Sequence, residues 1–527
     1  MTDVTSNPLL HRPVFGADLL IHALAKQPDA PAVNIGERTM TAREMADEVS
    51  RYSQALQARG LGQGAQASML SLNRPEVLFT MGANQVNATR STPLHPMGSV
   101  EDQAYVLEDC GATALVFDPD TFTDRARQLA EMVPGLEHFL ALGPTEFGED
   151  LTALAAGFEP RRLVAPVVEP DALAGIAYSG GTTGKPKGIM GSYQSQATMT
   201  QIQMAEWQWP DETRFLICTP LSHAGAAFFV PTLLRGGSLT VLPGFDPETF
   251  MRTVEERRIT ATMLVPTMLY VLLDHPKFDD YDLSSLQTVF YGASAASPTR
   301  LAEAVERMGP IFFQFYGQAE CPMTITVLRK EDHDPSNLDR LASCGRPVPW
   351  VHVALLDDDG NEVAPGEPGE ICVRSPMVMK GYLGKPEQTA EAFAHGWLHT
   401  GDVARADDEG FLYIVDRKKD MIVTGGFNVY PREVEDVIST HPAVSAVAVI
   451  GVPDERWGES VKAVVVPRPG VDLDTTELVE LVKQHKGSVQ APKSVDLVDA
   501  IPLSALGKPD KKALRARYWG ESGRMVN

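Results

Sequence analysis

Leu173-Ala174-Gly175-Ile176-Ala177-Tyr178-Ser179-Gly180-Gly181-Thr182-Thr183-Gly184-Lys185-Pro186-Lys187-Gly188 is the stretch on which the reading of this chain turns. Residues 173–177 form an apolar run of strand length, and the glycine-rich segment after it is a loop. Glycines let a backbone close around phosphate oxygens with its N–H groups turned inward. Thr182 and Thr183 add hydroxyl donors, and Lys185 and Lys187 add positive charge. A P-loop NTPase is disfavoured by the spacing. Three residues separate Gly180 from Gly184, where that motif needs four, and Pro186 follows Lys185 where Ser or Thr is required.

Outward from this loop, apolar strand-length runs (residues 68–72 and 114–117) alternate with amphipathic helical stretches (250–258 and 301–308). Such alternation over hundreds of residues predicts an α/β architecture of parallel sheets. Turn signals then crowd residues 351–413, at Asp358-Asp359-Gly360, Pro365-Gly366-Glu367-Pro368-Gly369 and Asp408-Glu409-Gly410, which predicts antiparallel strands or a small barrel. Beyond the charged run Asp416-Arg417-Lys418-Lys419-Asp420 the pattern is that of a compact α+β unit. Pro431 suits the first turn of a helix carrying Val434, Val437 and Ile438. Residues 444–452 and 463–466 are strand-like, and Asp474 with Glu477 frames the start of another helix. The expected organisation is a large N-terminal domain over 1–417 and a small mobile C-terminal domain over 418–527.

A formal charge of −23 opposes bulk electrostatic binding to nucleic acid or anionic membrane. The five cysteines share no CxxC spacing, so neither a disulfide framework nor a zinc site is expected, and reduced cytoplasmic thiols are. The N-terminus carries no signal-peptide pattern. Residues 215–234 lack charge, but Pro220, His223, Gly225 and Pro231 make them a buried strand–loop–helix rather than a membrane span.

The stretch 179–188 resembles the signature loop of the adenylate-forming superfamily: acyl- and aryl-CoA synthetases, peptide-synthetase adenylation domains and firefly-type luciferases. Further matches follow in order: Pro220-Leu221-Ser222-His223, Tyr291-Gly292-Ala293, Gln314 to Glu320, Gly381-Tyr382, Gly396-Trp397-Leu398-His399-Thr400-Gly401-Asp402, the run 416–435, and Leu503-Ser504-Ala505-Leu506-Gly507-Lys508. The likeness spans nearly the whole chain, and residues 291–294 with 486–493 are similar to actinobacterial fatty-acid–CoA ligases.

The resemblance implies a carboxylate attacking the α-phosphate of ATP, then transfer of the acyl group from AMP to an acceptor. Ser179, Gly181, Thr182, Thr183, Gly184 and Lys187 would cradle phosphates. Glu320, with Thr183, would hold Mg2+, whose preference for oxygen ligands suits a carboxylate. Tyr316 would stack on adenine, Gly292, Ala293, Ser294 and Gly317 would meet the nucleotide, Asp402 the ribose hydroxyls, and Arg417 the ribose or a phosphate. Lys508 would neutralise charge where carboxylate meets α-phosphate. Lys419 would be the hinge, and Gly425 and Gly426 would leave a path for the pantetheine arm of coenzyme A. Three positions depart from the pattern: Gly180 where Ser is frequent, Ala319 where Thr is frequent, and Lys511-Lys512 where Arg is usual.

His223, Ala224, Gly225 and Ala226 would line one wall of the acyl pocket, and Phe315, Gly317 and Met323 the other. Small and apolar linings favour a small-to-medium hydrophobic acid, whether aliphatic, alicyclic or aromatic. No Asp stands near Ala224 to pair with an ammonium, which argues against activation of free amino acids. The expected partners are the acid, ATP and CoA, with a homodimer as one assembly open to the chain. Alternatives are an amide synthetase resembling coronafacate ligases, in which an amine captures the acyl adenylate, a non-catalytic nucleotide-binding homologue, and a luciferase-type oxygenase.

Overall fold

The structure, a computed structural model, describes residues 11–179, 186–417, 420–424, 427–454, 457–503 and 509–519. Two large sheets carry most of the N-terminal region. The nine-stranded sheet runs in the order Arg346–Pro347, Cys321–Leu328, Phe312–Gln318, Thr288–Gly292, Ala261–Leu264, Arg214–Ile217, Ser238–Val241, Pro31–Ile35, Arg38–Thr41. Its inner strands, from Phe312–Gln318 to Pro31–Ile35, are parallel, and the flanking pairs are antiparallel. The seven-stranded sheet contains Gln66–Leu70, Ala114–Phe117 and Leu173–Ser179 and is parallel until the last pair, Leu173–Ser179 with Lys187–Ser192. The run 173–177 is thus the strand its composition implied.

Each sheet is buried on both faces, and the strand period of two decides which core a side chain enters. Phe290 joins a core shared by both sheets, while its neighbours Val289 and Tyr291 enter a second core behind the nine-stranded sheet. Likewise Ala114 and Val116 face the shared core, and Leu115 and Phe117 face a third. Near-continuous apolar strands are the consequence, and they are what made the parallel sheets readable.

The turn-rich region forms a four-stranded antiparallel meander, His352–Leu356, Gly369–Arg374, Leu398–Ala406 and Leu412–Arg417. Of the antiparallel strands or small barrel expected there, the described residues show the antiparallel strands, hydrogen-bonded in sequence order. Residues 215–234 resolve into the strand Arg214–Ile217, the 3-10 turn Ala224–Phe228 and the helix Phe229–Leu234. Among the described residues no helix is long and apolar enough to cross a membrane.

The C-terminal region has its own five-stranded sheet, in which Gly458–Pro467 pairs with Val444–Asp454, Ile422–Thr424 and Ser494–Leu497. Val461, Ala463 and Val465 face one core, and Val464 the other. Pro431 opens the helix Pro431–Ser439, where its missing N–H costs nothing, and Val434 and Ile438 are buried. Asp474 caps Thr475–Lys486 by accepting from Thr476 N at 2.8 Å, whereas Glu477 turns to His441 Nε2 at 3.2 Å.

Candidate active site

Parallel strands deliver their loops to one edge of a sheet, and ligands gather there. At that edge of the nine-stranded sheet Gly292 ends Thr288–Gly292, and Gly317 is the penultimate residue of the strand Phe312–Gln318. Both glycines are steric necessities. A Cβ at Gly292 would stand 2.4 Å from Phe315 O, and one at Gly317 would stand 2.2 Å from Met323 N. Two residues beside them hold left-handed backbones, Ala293 at φ 65 and Met323 at φ 63. Such conformations cost about 1–3 kcal/mol each and gather at binding sites. Ser294 follows Ala293, half-buried.

Two hydrogen-bonded pairs define the polar side. The Tyr316 hydroxyl donates to Asp402 Oδ2 at 2.6 Å, joining the nine-stranded sheet to the meander. Burial, then the Asp402 carboxylate, holds the phenol well above its ordinary pKa, so it stays a donor. Asp402 is 4% exposed and lies opposite Arg417 in the strand register. In the second pair Tyr382 Oη donates to Glu320 Oε1 at 2.9 Å. Lys187 Nζ lies 5.0 Å from the centre of the Tyr382 ring, a cation–π contact that ties the strand after the phosphate loop to Glu320's partner. The half-buried Glu320 carboxylate is an oxygen donor suited to a hard divalent cation, which it would share with phosphates.

The region expected to take the acyl group is apolar and packed. Trp207, Trp209, Phe215, Phe228, Phe290, Phe313 and Phe315 form one aromatic cluster, in which Phe315 stacks on Trp207 with centroids 5.0 Å apart. Phe315, expected in a pocket wall, is packed within this cluster at 3% exposure. Met323 is buried against Gln203. Gly225 is likewise taken up by packing: a Cβ there would meet Thr219 O at 2.5 Å and Pro220 O at 2.9 Å. Ala224 and Ala226, half-buried, flank it. His223 Nδ1 lies 2.8 Å from Ser222 Oγ, and its ring meets His95 edge-on at 4.8 Å. Burial, reinforced by His95, lowers His223 to about 4, so it is neutral at pH 7. Cys321, beside Glu320, is a buried thiol pushed up to about 12 by desolvation and is no thiolate nucleophile.

The structure thus brings together Tyr316, Gly317, Gly292, Ala293, Glu320, Asp402 and Lys187. Gly181, Thr182, Thr183, Gly184, Lys419, Gly425, Gly426 and Lys508 lie outside the described residues, and Ser179 and Arg417 are described by backbone alone. Sequence reasoning gave no role to His95, Trp207, Glu370 or Tyr382. Tyr382 stands in a quoted motif and Pro93-Leu94-His95-Pro96 is a visible turn signal. Trp207 carried no local mark, because its distant ring partners come from three other elements, Ala224–Phe228, Thr288–Gly292 and Phe312–Gln318.

With this geometry in view, the AMP-binding enzyme family matches residues 20–383, and the AMP-binding enzyme C-terminal domain matches residues 433–508. A medium/long-chain-fatty-acid–CoA ligase, FadD8, of Mycobacterium tuberculosis is 55% identical over 99% of this chain and 93% of its own length. A feruloyl-CoA synthase of an Amycolatopsis species is 36% identical over 93% of this chain and 96% of its own. Among solved structures, the amide bond synthetase McbA from Marinactinospora thermotolerans superposes with a TM-score of 0.87 at 35% identity, covering 95% of this chain and 100% of that one. The glycines that admit close backbone approach, the Tyr316–Asp402 pair and the extent of these matches lead to one assignment: the chain belongs to the AMP-binding enzyme family.

Proposed function

We propose that this protein is an AMP-forming acyl-CoA synthetase for hydrophobic carboxylic acids, with medium-chain fatty acids the first to try. The observation that carries the reading is the meeting of the Tyr316–Asp402 and Tyr382–Glu320 pairs at the carboxyl edge of one parallel sheet. The acid's carboxylate oxygen attacks the α-phosphorus of ATP, the bond to the bridging oxygen breaks, and pyrophosphate leaves. The CoA thiolate then attacks the acyl carbonyl carbon and AMP departs.

The residues divide this work. Gly181, Thr182, Thr183, Gly184 and Lys187 hold the β- and γ-phosphates, and Ser179 opens that loop. Gly292, Ala293 and Ser294 admit the nucleotide, Tyr316 and Gly317 receive adenine, and Asp402 with Arg417 grips the ribose. Neutral His223 orients the carboxylate without an ion pair. Lys508 stabilises charge at the reacting centre, positioned by rotation of residues 418–527 about Lys419 against 1–417. The opposite rotation brings Gly425 and Gly426 in to pass the pantetheine arm. Mg2+, held by Glu320 and Thr183, would supply charge neutralisation at the phosphates. We place the reaction in the cytoplasm, where ATP and CoA are available.

The likeness to an amide bond synthetase favours one second reading, capture of the acyl adenylate by an amine. Mass spectrometry of products from ATP, Mg2+ and a panel of acids, with CoA or mixed amino acids added separately, decides between them. Acyl-CoA only in the CoA arm is expected. Amides without CoA would overturn the thiol acceptor.

A further inference from the structure

The strand Leu398–Ala406 does not run evenly beside Gly369–Arg374. Glu370 pairs with Val403 and Cys372 with His399, so Thr400, Gly401 and Asp402 stand opposite Ile371 alone. Extra residues on one strand force a bulge, and bulges re-aim side chains beside sites. Gly401 makes the bend at φ 72, where a side chain would be strained. The outcome is that Asp402 turns to Tyr316.

A buried carboxylate holds this bulge. Glu370, 7% exposed, accepts from Gly401 N at 2.8 Å through one oxygen, and its other oxygen lies 3.0 Å from His399 Nδ1. The second ring nitrogen of His399 lies 3.1 Å from Ala394 O, so the imidazole bridges Glu370 to the preceding turn. Thr400 completes the frame, donating to Ile371 O at 2.7 Å and accepting from Asp402 N at 3.1 Å. Burying a charged carboxylate is costly unless donors surround it, so this arrangement is rigid once formed.

We propose that Glu370 and His399 are positioning residues for the nucleotide: they fix the bulge that presents Asp402, and so they set the preference for ribose over deoxyribose. The inference rests on the assignment of Asp402 to the ribose hydroxyls. A site built to bond a hydroxyl rejects the analogue lacking it, and a displaced Asp402 loses that discrimination without altering the acyl side. The Glu370, Cys372 and His399 heteroatoms also lie within 4.8 Å of one another, the spacing of ligands around a divalent cation, so metal content belongs in the test.

The experiment compares kcat/KM for ATP with that for 2′-deoxy- and 3′-deoxy-ATP, read as pyrophosphate release, in the full-length enzyme and its variants. Asp402→Ala should bring the ratio close to one. Glu370→Ala should lower it about tenfold, while KM for the acid stays within about twofold. Glu370→Gln, which keeps an acceptor for Gly401, should restore part of it, and His399→Gln should fall between. Because each ratio is measured on one enzyme, partial loss of folded protein cancels, and Glu370→Gln serves if Glu370→Ala does not fold. An unchanged ratio in the Glu370 and His399 variants, with Asp402→Ala collapsed, would overturn the positioning role and leave the Asp402 assignment standing. A wild-type enzyme indifferent to the missing hydroxyls would overturn both. One equivalent of zinc in the purified protein, lost in Cys372→Ala, would overturn the proposal by making the cluster a metal site.

Discussion

The polar and the apolar parts of the candidate site are held together by different physics. In the polar part groups meet in pairs with defined donors: Tyr316 on Asp402, Tyr382 on Glu320, Gly401 on Glu370. In the apolar part stand an aromatic cluster around Trp207 and a histidine kept neutral by burial. A paired polar site depends on single atoms, because an orphaned buried donor or acceptor costs its full desolvation. A packed apolar wall depends on volume and tolerates shape-conserving change.

That contrast can be broken, from the largest expected effect downward. Lys508→Ala should lower adenylation about 1000-fold while leaving transfer from preformed acyl-AMP largely intact, measured as the two half-reactions separately. Equal loss in both would remove Lys508 from the first step. Gly426→Leu should do the reverse, sparing adenylation and blocking CoA. Trp207→Ala should cost about 3–5 kcal/mol of stability by denaturant titration, and Trp207→Phe far less, since the first empties the centre of the cluster. If both cost little, the acyl wall is not packed core.

Glu320→Gln should lower pyrophosphate release about 100-fold with little change in Tm, because Gln still accepts from Tyr382. A matching fall in Tm would recast Glu320 as structural. The apolar burial of histidine gives a smaller, pH-dependent effect. His333 is buried with Nε2 2.9 Å from Tyr291 Oη and Nδ1 2.7 Å from Arg329 O, and it and His223 are both lowered to about 4, largely by burial. In the unfolded chain they titrate at about 6.5, so between these values the unfolded state binds more protons and stability falls as pH drops. Replacing His333 with Gln should remove about 2 kcal/mol of the loss between pH 7 and pH 5, seen as a shallower slope of unfolding free energy against pH. An unaltered slope would mean that His333 takes up its proton in the folded state. Last, Tyr382→Phe should slow adenylation about tenfold, a size set by one hydrogen bond to a charged group.

The same contrast explains what could be read in advance. Residues 114–117 and 463–466 read as strands because burial on both faces leaves no room for polar residues. Gly292, Gly317 and Asp402 were legible as motif members, and the close approach of Phe315 and Met323 supplies the reason glycine stands there. Phe315 was expected in a pocket wall, and its stacking on Trp207 from a separate segment carried no mark in the sequence. Turn density in 351–413 was enough to mark antiparallel strands, because each tight turn returns the chain beside itself.

Local sequence therefore set the element types and the motifs that carry the family resemblance, since each depends on residue identity over a few neighbours. Folding in three dimensions settled the rest. It brought Asp402 to Tyr316 across 86 positions, placed His95 on His223, and set Glu370 beneath Gly401. Those contacts join segments whose separation no periodicity records, and the bulge behind Asp402 exists only once two strands have chosen their register.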